Sequence, residues 1–413
     1  MLARGWLEGG AGVEGPIHSK HLQVVEATDY SNPNTQAELG EAMKVRLALT
    51  ITSLASLACL SLPALADHLP HTAHLRHVER QDRKFHEMKP SSSPRVLKSA
   101  SDKASKDLVN SARAALDTGT RYALLVMHGD EILFEEYRNG GSDKLFMLSS
   151  SVAKSMVALG VGEALCAGKI KSLDDKAKQY FPGLDGTAQG DSSVRNLLKM
   201  ASGADISMLE GPGLNWKTYT ELANGRIDLT DYVKQDSRPK SVFGKQIKDG
   251  EVFAYSGRDT SALALVVEGA TGMKFQNWFE QTVWAKAKTE APGYWQLTKD
   301  DRVVAEAVIL ATTRDWLRLT SYVIDNINGA GNDCLTSYLK EATTKQITSD
   351  GRALGPLYGY QIWVHHSGMP LMAGYGGQFI AFDASSRRAV VAFSQKQNVQ
   401  SFMSFLQSWY ASK

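Results

Sequence analysis

A serine and a lysine three positions apart, Ser151 and Lys154, stand at the start of an unusually apolar stretch, FMLSSSVAKSMVALGVGEAL. On a helix this spacing brings both side chains to one face, one turn apart. Because burial disfavours a charged ammonium, Lys154 can take the proton of the Ser151 hydroxyl and make it a nucleophile. The plainer interpretation is that the serines only cap the helix.

The Ser-x-x-Lys spacing alone is weak evidence, because it occurs at two other places. Ser237–Lys240 contains Pro239, which disfavours a helix interior, and Ser337–Lys340 has no second motif beside it. At Ser151–Lys154 the lysine enters a long apolar helix whose small residues, such as Gly160, let other elements approach closely. A buried lysine is costly unless it is paired or functional, so this pair is the catalytic candidate.

Two later segments add groups that acyl transfer requires. In EVFAYSGRDTSALALVVEGATG, Tyr255 stands in a loop before a predicted helix, where a phenol can relay a proton to a leaving group. In AGYGGQFIAFD, glycines precede a predicted strand and leave backbone N–H groups open to a substrate oxygen, as half of an oxyanion hole. Taken singly, a core tyrosine and a glycine-rich hairpin turn are the simpler explanations.

The order of these three segments resembles that of the serine β-lactamase-like superfamily, whose members carry Ser-x-x-Lys. The closer similarity is to its class C branch, with D-alanyl-D-alanine carboxypeptidases, esterases and 6-aminohexanoate-dimer hydrolases. SLDDKAKQYFPGL, VRNLLKMASGAD, TTRDWLRL, GYQIWV and YGGQFIAFD continue the similarity over about residues 120–413. The resemblance implies an α+β fold of the β-lactamase/transpeptidase type and a serine hydrolase of small esters or amides, with no metal or cofactor.

The resemblance also assigns roles to individual residues. Ser151 is implied to be the nucleophile that accepts the acyl group, with Lys154 as its base. Tyr255 is implied to carry the proton between Ser151 and the leaving group. The backbone N–H groups of Ser151 and Gln378 are implied to form the oxyanion hole. The residues alone do not single out Gln378.

Two motifs depart from the pattern of the lactamases in this branch. Tyr255-Ser256-Gly257 replaces Tyr-x-Asn, and Tyr375-Gly376-Gly377 replaces Lys-Thr-Gly. A tyrosine in place of that lysine offers a substrate carboxylate no charge. These differences favour an esterase or small-amide hydrolase over a β-lactamase or D-Ala-D-Ala carboxypeptidase. A penicillin-binding or sensor-type protein that is acylated without turnover remains the alternative.

Further residues are expected to bind substrate. Tyr375, Gly376 and Gly377 are the third motif itself. Trp216 and Tyr219, in the glycine-punctuated segment GPGLNWKTYTELANG, are predicted to form a cleft wall, with core packing as the competing interpretation.

The pattern of strands and helices predicts the elements that hold these residues. Runs 122–127 and 132–137 flank His128-Gly129-Asp130 as a hairpin. Residues from about 165 to 300 are helix-rich, and strands return at 360–365, 378–383 and 389–394 before a final amphipathic helix. Strands at both ends predict one mixed antiparallel sheet flanked by helices, with a helical insertion, in a domain at 116–413.

The N-terminal segment carries the features of an export signal. Met43-Lys44-Val45-Arg46 precedes LALTITSLASLACLSL, and Ala64-Leu65-Ala66 supplies small residues before Asp67. Residues 43–66 are therefore predicted to be a signal peptide, and residues 1–42 a misassigned upstream start. The expected location is periplasmic or secreted, without a stable membrane anchor. An uncleaved span and a lipoprotein anchor at Cys59 are the weaker alternatives.

Charge and the remaining sequence features exclude some functions and leave others open. A net charge of +2 without a long basic run gives no indication of nucleic-acid binding. The extension 67–115 is polar and irregular, then weakly helical around SKDLVNSARAAL. Within it, HLPHTAHLRH with His68, His71, His74 and His77 is predicted to be a solvated linker rather than a metal site. The spacing of Cys166 and Cys334 does not require a disulfide, and Cys166 is typical of a small buried side chain. The oligomeric state is not indicated.

Overall fold

The computed structural model describes residues 83–204, 214–235, 241–242, 245–349, 354–396 and 399–412. The predicted signal peptide and the four histidines lie outside these residues. No helix in the described part of the chain is long and apolar enough to cross a membrane. Within the same residues, no group of three or more histidine, cysteine or acidic side chains is arranged to hold a metal ion.

The strands lie mainly towards the two ends of the described chain. In chain order they are Phe85–Met88 (β1), Lys98–Ser99 (β2), Thr120–His128 (β3), Glu131–Tyr137 (β4), Phe146–Leu148 (β5), Ser241–Val242 (β6), Lys245–Gln246 (β7), Gly293–Gln296 (β8), Ile309–Thr312 (β9), Ile347–Thr348 (β10), Leu357–Tyr358 (β11), Trp363–Val364 (β12), Pro370–Gly374 (β13), Gln378–Asp383 (β14) and Arg388–Lys396 (β15).

The helices fill most of the middle of the chain. They are Lys106–Leu116 (α1), Val152–Cys166 (α2), Ala177–Tyr180 (α3), Ala188–Asp191 (α4), Val194–Leu198 (α5), Leu214–Ala223 (α6), Leu229–Lys234 (α7), Gly257–Thr271 (α8), Phe275–Phe279 (α9), Thr313–Ile327 (α10), Asp333–Ala342 (α11) and Val399–Ala411 (α12). A π-helical turn, Glu280–Trp284, follows α9, and short 3₁₀ turns occur at Ser101–Lys103 and Pro182–Leu184.

The central sheet has nine strands in the order β10-β11-β12-β13-β14-β15-β3-β4-β2. All pairs are antiparallel except β2 with β4. Strands from both ends of the chain meet where β15 pairs with β3. The predicted α+β class with a mixed sheet is therefore confirmed, and so is the β3–β4 hairpin.

The alternating side chains of β3 separate two apolar layers. Leu124 and Val126 pack with α1 and α12 on one face of the sheet. Leu125 and Met127 face the larger core that contains α2 and α8. Successive strand residues point to opposite faces, so a single strand supports both layers.

A smaller sheet of four strands, in the order β1-β8-β9-β5, was not apparent from the sequence. Its strands have three or four residues each, and β8 and β9 are buried throughout, which removes the alternation that identifies a strand. Through β1, part of the extension predicted at 67–115 pairs with the fold, as Phe85 is opposite Gln296. Strand β5 leads directly into the candidate site.

Cys166 and Cys334 form a disulfide, so the interpretation of Cys166 as an unpaired buried side chain was wrong. Their Cα atoms are 5.6 Å apart although 168 positions separate them in sequence. Packing of the end of α2 against the start of α11 brings the two sulfur atoms together. The bond thus ties the C-terminal end of the Ser151–Lys154 helix to a distant segment.

Candidate active site

Helix α2 is buried on all sides, which explains why its sequence lacks a polar face. Its residues from Val152 to Ala164 are all buried. Two glycines admit close neighbours: a Cβ on Gly160 would meet the Phe275 ring at 2.8 Å, and one on Gly162 would meet Tyr338 at 2.5 Å. The predicted role of small residues in this helix is confirmed.

The serines before α2 position the third one. The Ser149 N–H donates to the Ile309 carbonyl at 2.8 Å, and the Ser149 hydroxyl accepts the Ile309 N–H at 2.9 Å. Ser150 has a φ of +44°, a left-handed conformation that a non-glycine residue adopts only when its surroundings hold it there. The chain therefore turns sharply, and Ser151 stands at the N-cap of α2.

Lys154 is 1% exposed, and its ammonium reaches the Ser151 hydroxyl. Nζ donates to Ser151 Oγ at 3.1 Å and to the Glu306 carbonyl at 2.9 Å. Both acceptors are neutral oxygen atoms. In contrast, Ser337 and Lys340, which have the same spacing, are exposed on α11. Spacing and burial thus occur together at Ser151–Lys154.

Tyr255 lies beside this pair. Its ring centroid is 5.2 Å from Lys154 Nζ, and the ring stacks on Trp363 with centroids 5.5 Å apart and an interplanar angle of 25°. Tyr358 contacts the same ring edge-on at 6.3 Å. Burial raises the pKa of the Tyr358 phenol well above its ordinary value. Trp363 is buried and holds Tyr255 in place through its ring.

The β13–β14 hairpin packs against the serines that precede α2. A Cβ on Gly374 would lie 2.5 Å from the Ser149 carbonyl oxygen and 2.9 Å from the Ser150 Cβ, so only glycine fits there. Gly376 and Gly377 have φ values of +84° and +99°, which favour glycine. The residue just before the third motif is therefore in contact with the segment that carries Ser151, the candidate nucleophile.

Within that turn, Gln378 and Tyr375 differ in exposure. The Gln378 side chain is buried; its Nε2 donates to the Ser394 carbonyl at 2.7 Å and its Oε1 accepts the Ser394 N–H at 3.2 Å. These bonds fasten the turn to β15. Tyr375 is 81% exposed at the tip. The Ser151 N–H has no acceptor among the residues described, whereas the role of the Gln378 N–H stays a prediction.

The predicted cleft wall is only partly described. Trp216 lies on α6, and its side chain is outside the described structure. Tyr219 is also on α6, and burial together with the charge of Glu306 raises the pKa of its phenol. Tyr219 is therefore near Glu306, whose carbonyl oxygen binds Lys154.

Sequence reasoning missed Glu306. It is 1% exposed, its carbonyl binds Lys154, and its carboxylate Oε1 accepts the Tyr232 hydroxyl at 2.6 Å. The signal was present: Glu306 is a lone acid in the apolar run VVAEAVIL at 303–310. An acid in such a run is rarely buried without a structural or functional reason.

The sequence matches the protein family described as Beta-lactamase over residues 117–404, which is more than half of the chain. The chain belongs to this family. The matched stretch includes the helix with Ser151–Lys154, the loop with Tyr255 and the β13–β14 hairpin. The predicted superfamily is confirmed.

A curated relative and several solved structures agree with this assignment. The chain is 26% identical over 209 residues to a 6-aminohexanoate-dimer hydrolase of Paenarthrobacter ureafaciens, a match that covers 49% of this chain and 52% of that protein. The chain thus spans about half the length of the curated relative it matches.

The solved structures show the fold. A protein of Bacillus anthracis assigned as a 6-aminohexanoate-dimer hydrolase has a TM-score of 0.65 at 20% identity, covering 79% of this chain and 89% of its own. A hydrolase with promiscuous acyltransferase activity has a TM-score of 0.57 at 15% identity, with coverage of 73% and 97%. A class C beta-lactamase mutant has 0.53 at 16%, also with 73% and 97%. Family and fold together indicate a hydrolase of the serine β-lactamase fold.

Proposed function

We propose that this protein hydrolyses an ester or a small amide through an acyl-enzyme on Ser151. The observation that carries the proposal is the buried Lys154 amine, which contacts the Ser151 hydroxyl and a second neutral oxygen. A buried amine whose hydrogen-bond partners are neutral can exchange a proton with its serine partner more readily than one held in an ion pair.

The proposed reaction uses three side chains. Ser151 Oγ attacks the substrate carbonyl carbon while its proton passes to Lys154, which acts as a neutral amine. The negative charge on the carbonyl oxygen is stabilised by the N–H groups of Ser151 and Gln378. The bond to the leaving group then breaks, and the leaving oxygen or nitrogen receives the proton through the Tyr255 phenol. Water attacks the acyl-enzyme by the reverse path and frees the acid and Ser151.

The motifs support an ester or small-amide substrate. Tyr375 at the hairpin tip supplies no positive charge for a carboxylate, unlike the lysine of Lys-Thr-Gly. Tyr375, Gly376, Gly377, Trp216 and Tyr219 are proposed to contact the substrate. The curated relative is named for the hydrolysis of a 6-aminohexanoate dimer, a small linear amide.

The test is the intact mass of the mature protein after exposure to a fluorophosphonate. Wild type is expected to gain one adduct, and Ser151→Ala none. Ser337→Ala is the matched control, because it removes a serine with the same spacing to an exposed lysine, and it should label like wild type. A folded wild type that gains no adduct, or a Ser151→Ala protein that still gains one, contradicts the proposal.

Turnover separates a hydrolase from a protein that is acylated once. With para-nitrophenyl butyrate, a hydrolase releases nitrophenol at a steady rate after any burst. A stoichiometric burst without further release would instead support the penicillin-binding or sensor-type alternative. A panel with a linear amide and a penicillin then ranks the substrate classes.

We also propose that the protein is exported. The segment 43–66 has the features of a signal peptide, and the Cys166–Cys334 disulfide is typical of an oxidising compartment. The test is the N-terminal sequence of the protein recovered from periplasm or medium, which should begin at Asp67. Protein that stays in the cytoplasm with an intact segment 43–66 would contradict export.

A further inference from the structure

The Glu306 carboxylate occupies the place where a side chain of residue 257 would be. A Cβ added to Gly257 would lie 0.9 Å from Glu306 Oε2 and 2.1 Å from its Cδ. Any residue other than glycine at position 257 would collide with this carboxylate. The Tyr255-Ser256-Gly257 motif therefore presents an acid from another segment instead of a side chain of its own.

This carboxylate is poorly compensated for a buried charge. Oε1 accepts the Tyr232 hydroxyl at 2.6 Å, and Oε2 has no hydrogen-bond partner in the described part of the chain. The Arg258 guanidinium packs on the Tyr232 ring at 4.6 Å from its centroid and donates from Nε to the Tyr232 carbonyl. Among the described residues, the hydrogen-bond partner of the carboxylate is thus a neutral phenol.

The charge of Glu306 affects the pKa values of two neighbouring tyrosines. Burial raises the pKa of Tyr232 well above the ordinary value, and the Glu306 charge raises the pKa further. The same two causes raise the pKa of Tyr219, a predicted substrate contact. The Glu306 carbonyl is 2.9 Å from Lys154 Nζ, which is 3.1 Å from Ser151 Oγ. Charges about 10 Å apart still interact appreciably at an effective dielectric constant of ~20.

We propose that Glu306 determines the charge preference of the site, favouring substrates with a cationic acyl group and disfavouring those with a carboxylate. This inference rests on the proposed hydrolysis at Ser151. The exposed tyrosine at the hairpin tip adds no positive charge, and Lys154 acts as a neutral amine in the proposed reaction. The substrate class is therefore an ester or small amide whose acyl part is neutral or bears an ammonium.

Three esters of similar length test the proposal: the para-nitrophenyl esters of butyric acid, of γ-trimethylammoniobutyric acid and, as the monoester, of succinic acid. Wild type should hydrolyse the cationic ester with the highest kcat/KM and the anionic one with the lowest. Glu306→Gln keeps the side-chain shape and an oxygen for Tyr232. It should reduce the ratio of cationic to anionic kcat/KM by about tenfold.

Two controls separate charge from packing. Glu268→Gln removes a buried acid about 16 Å along α8 from Gly257 and should leave the ratio unchanged. Tyr232→Phe removes the partner of Oε1 while the charge stays, and the ratio should remain high. This variant also tests the proposal if Glu306→Gln fails to fold, because a ratio that collapses in Tyr232→Phe would assign the preference to packing.

Labelling of Ser151 distinguishes a failure of this inference from a failure of the proposed function. If the fluorophosphonate labels Ser151 in wild type and in Glu306→Gln, and the ratio is the same in both, the inference about Glu306 is wrong while the proposed function stands. If Ser151 is not labelled in wild type, the proposed function itself has failed.

Discussion

Each end of helix α2 buries an ionisable side chain, and the two side chains have different kinds of partner. Near the N-terminal end, Lys154 donates to the Ser151 hydroxyl and the Glu306 carbonyl. Near the C-terminal end, Glu163 accepts Lys286 Nζ at 2.9 Å on both carboxylate oxygens and also the Tyr322 hydroxyl. One buried charge meets neutral partners, and the other meets an opposite charge.

This difference distinguishes a reactive group from a structural one. Lys286 supplies an opposite charge to Glu163, and the disulfide at Cys166 adds a covalent restraint at the same end. A cavity of about 1150 Å³ lies there too, lined by Glu163, Lys286 and Tyr322 among others, and Ser151 is not part of its lining. The proposed chemistry is at the end where the hydrogen-bond partners of the buried lysine are neutral.

The largest effect is expected for Lys154→Met. Loss of the base should lower kcat/KM for an activated ester by roughly 10³-fold. The free energy of unfolding should fall by less than about 1 kcal/mol, because no opposite charge is left unpaired. Ester hydrolysis and urea unfolding measure the two quantities. A Lys154→Met variant with near-wild-type activity would show that Lys154 is not the base.

Removal of the disulfide should cause the largest decrease in the free energy of unfolding. The Cys166→Ala/Cys334→Ala double variant is expected to lose about 3–5 kcal/mol in the free energy of unfolding, because the bond closes a loop across 168 positions. Activity of the folded variant should be unchanged, since Ser151 is at the other end of α2. Equal urea midpoints for wild type and variant would contradict this.

A third buried ionisable group, Asp259, is expected to make the free energy of unfolding depend on pH. Burial raises its pKa from 3.8 to about 7, although Ser202 donates to Oδ1 at 2.8 Å. The native state therefore binds the proton more tightly than the unfolded state, and the free energy of unfolding should decrease as pH rises from about 4 to 7.

Asp259→Asn should remove this decrease. The variant is expected to match wild type near pH 4 and to exceed its stability by about 2–4 kcal/mol at pH 8, because one pKa unit corresponds to about 1.4 kcal/mol. Urea unfolding across this pH range measures the difference. Parallel curves for the two proteins would show that Asp259 does not titrate in this way.

The smallest effect is expected for Lys286→Met, the counterpart of Lys154→Met at the other end of α2. It leaves the Glu163 carboxylate without its cation and should cost about 1–3 kcal/mol, less than for a fully buried pair because Lys286 is half-exposed. Its kcat/KM should equal that of wild type. If Lys286→Met and Lys154→Met lose activity equally, the distinction between the two ends fails.

Much of the fold was predictable because its signals are local. The β-rich runs at 122–127 and 132–137 predicted β3 and β4, and strands at both ends predicted the mixed sheet. The four-residue strands β8 and β9 could not be recognised, because full burial removes their alternation. They matter, since β9 holds Ser149 and so sets the start of α2.

By itself the sequence determined the local half of the site. A three-residue spacing at a helix start puts Ser151 and Lys154 on one face, and glycine is required where φ is positive, at Gly376 and Gly377. Tertiary structure decided the rest. The second acceptor of Lys154 is 152 positions away, and the carboxylate over Gly257 comes from the same distant segment. Helix periodicity is local, whereas the partner of a buried charge depends on which segments pack together.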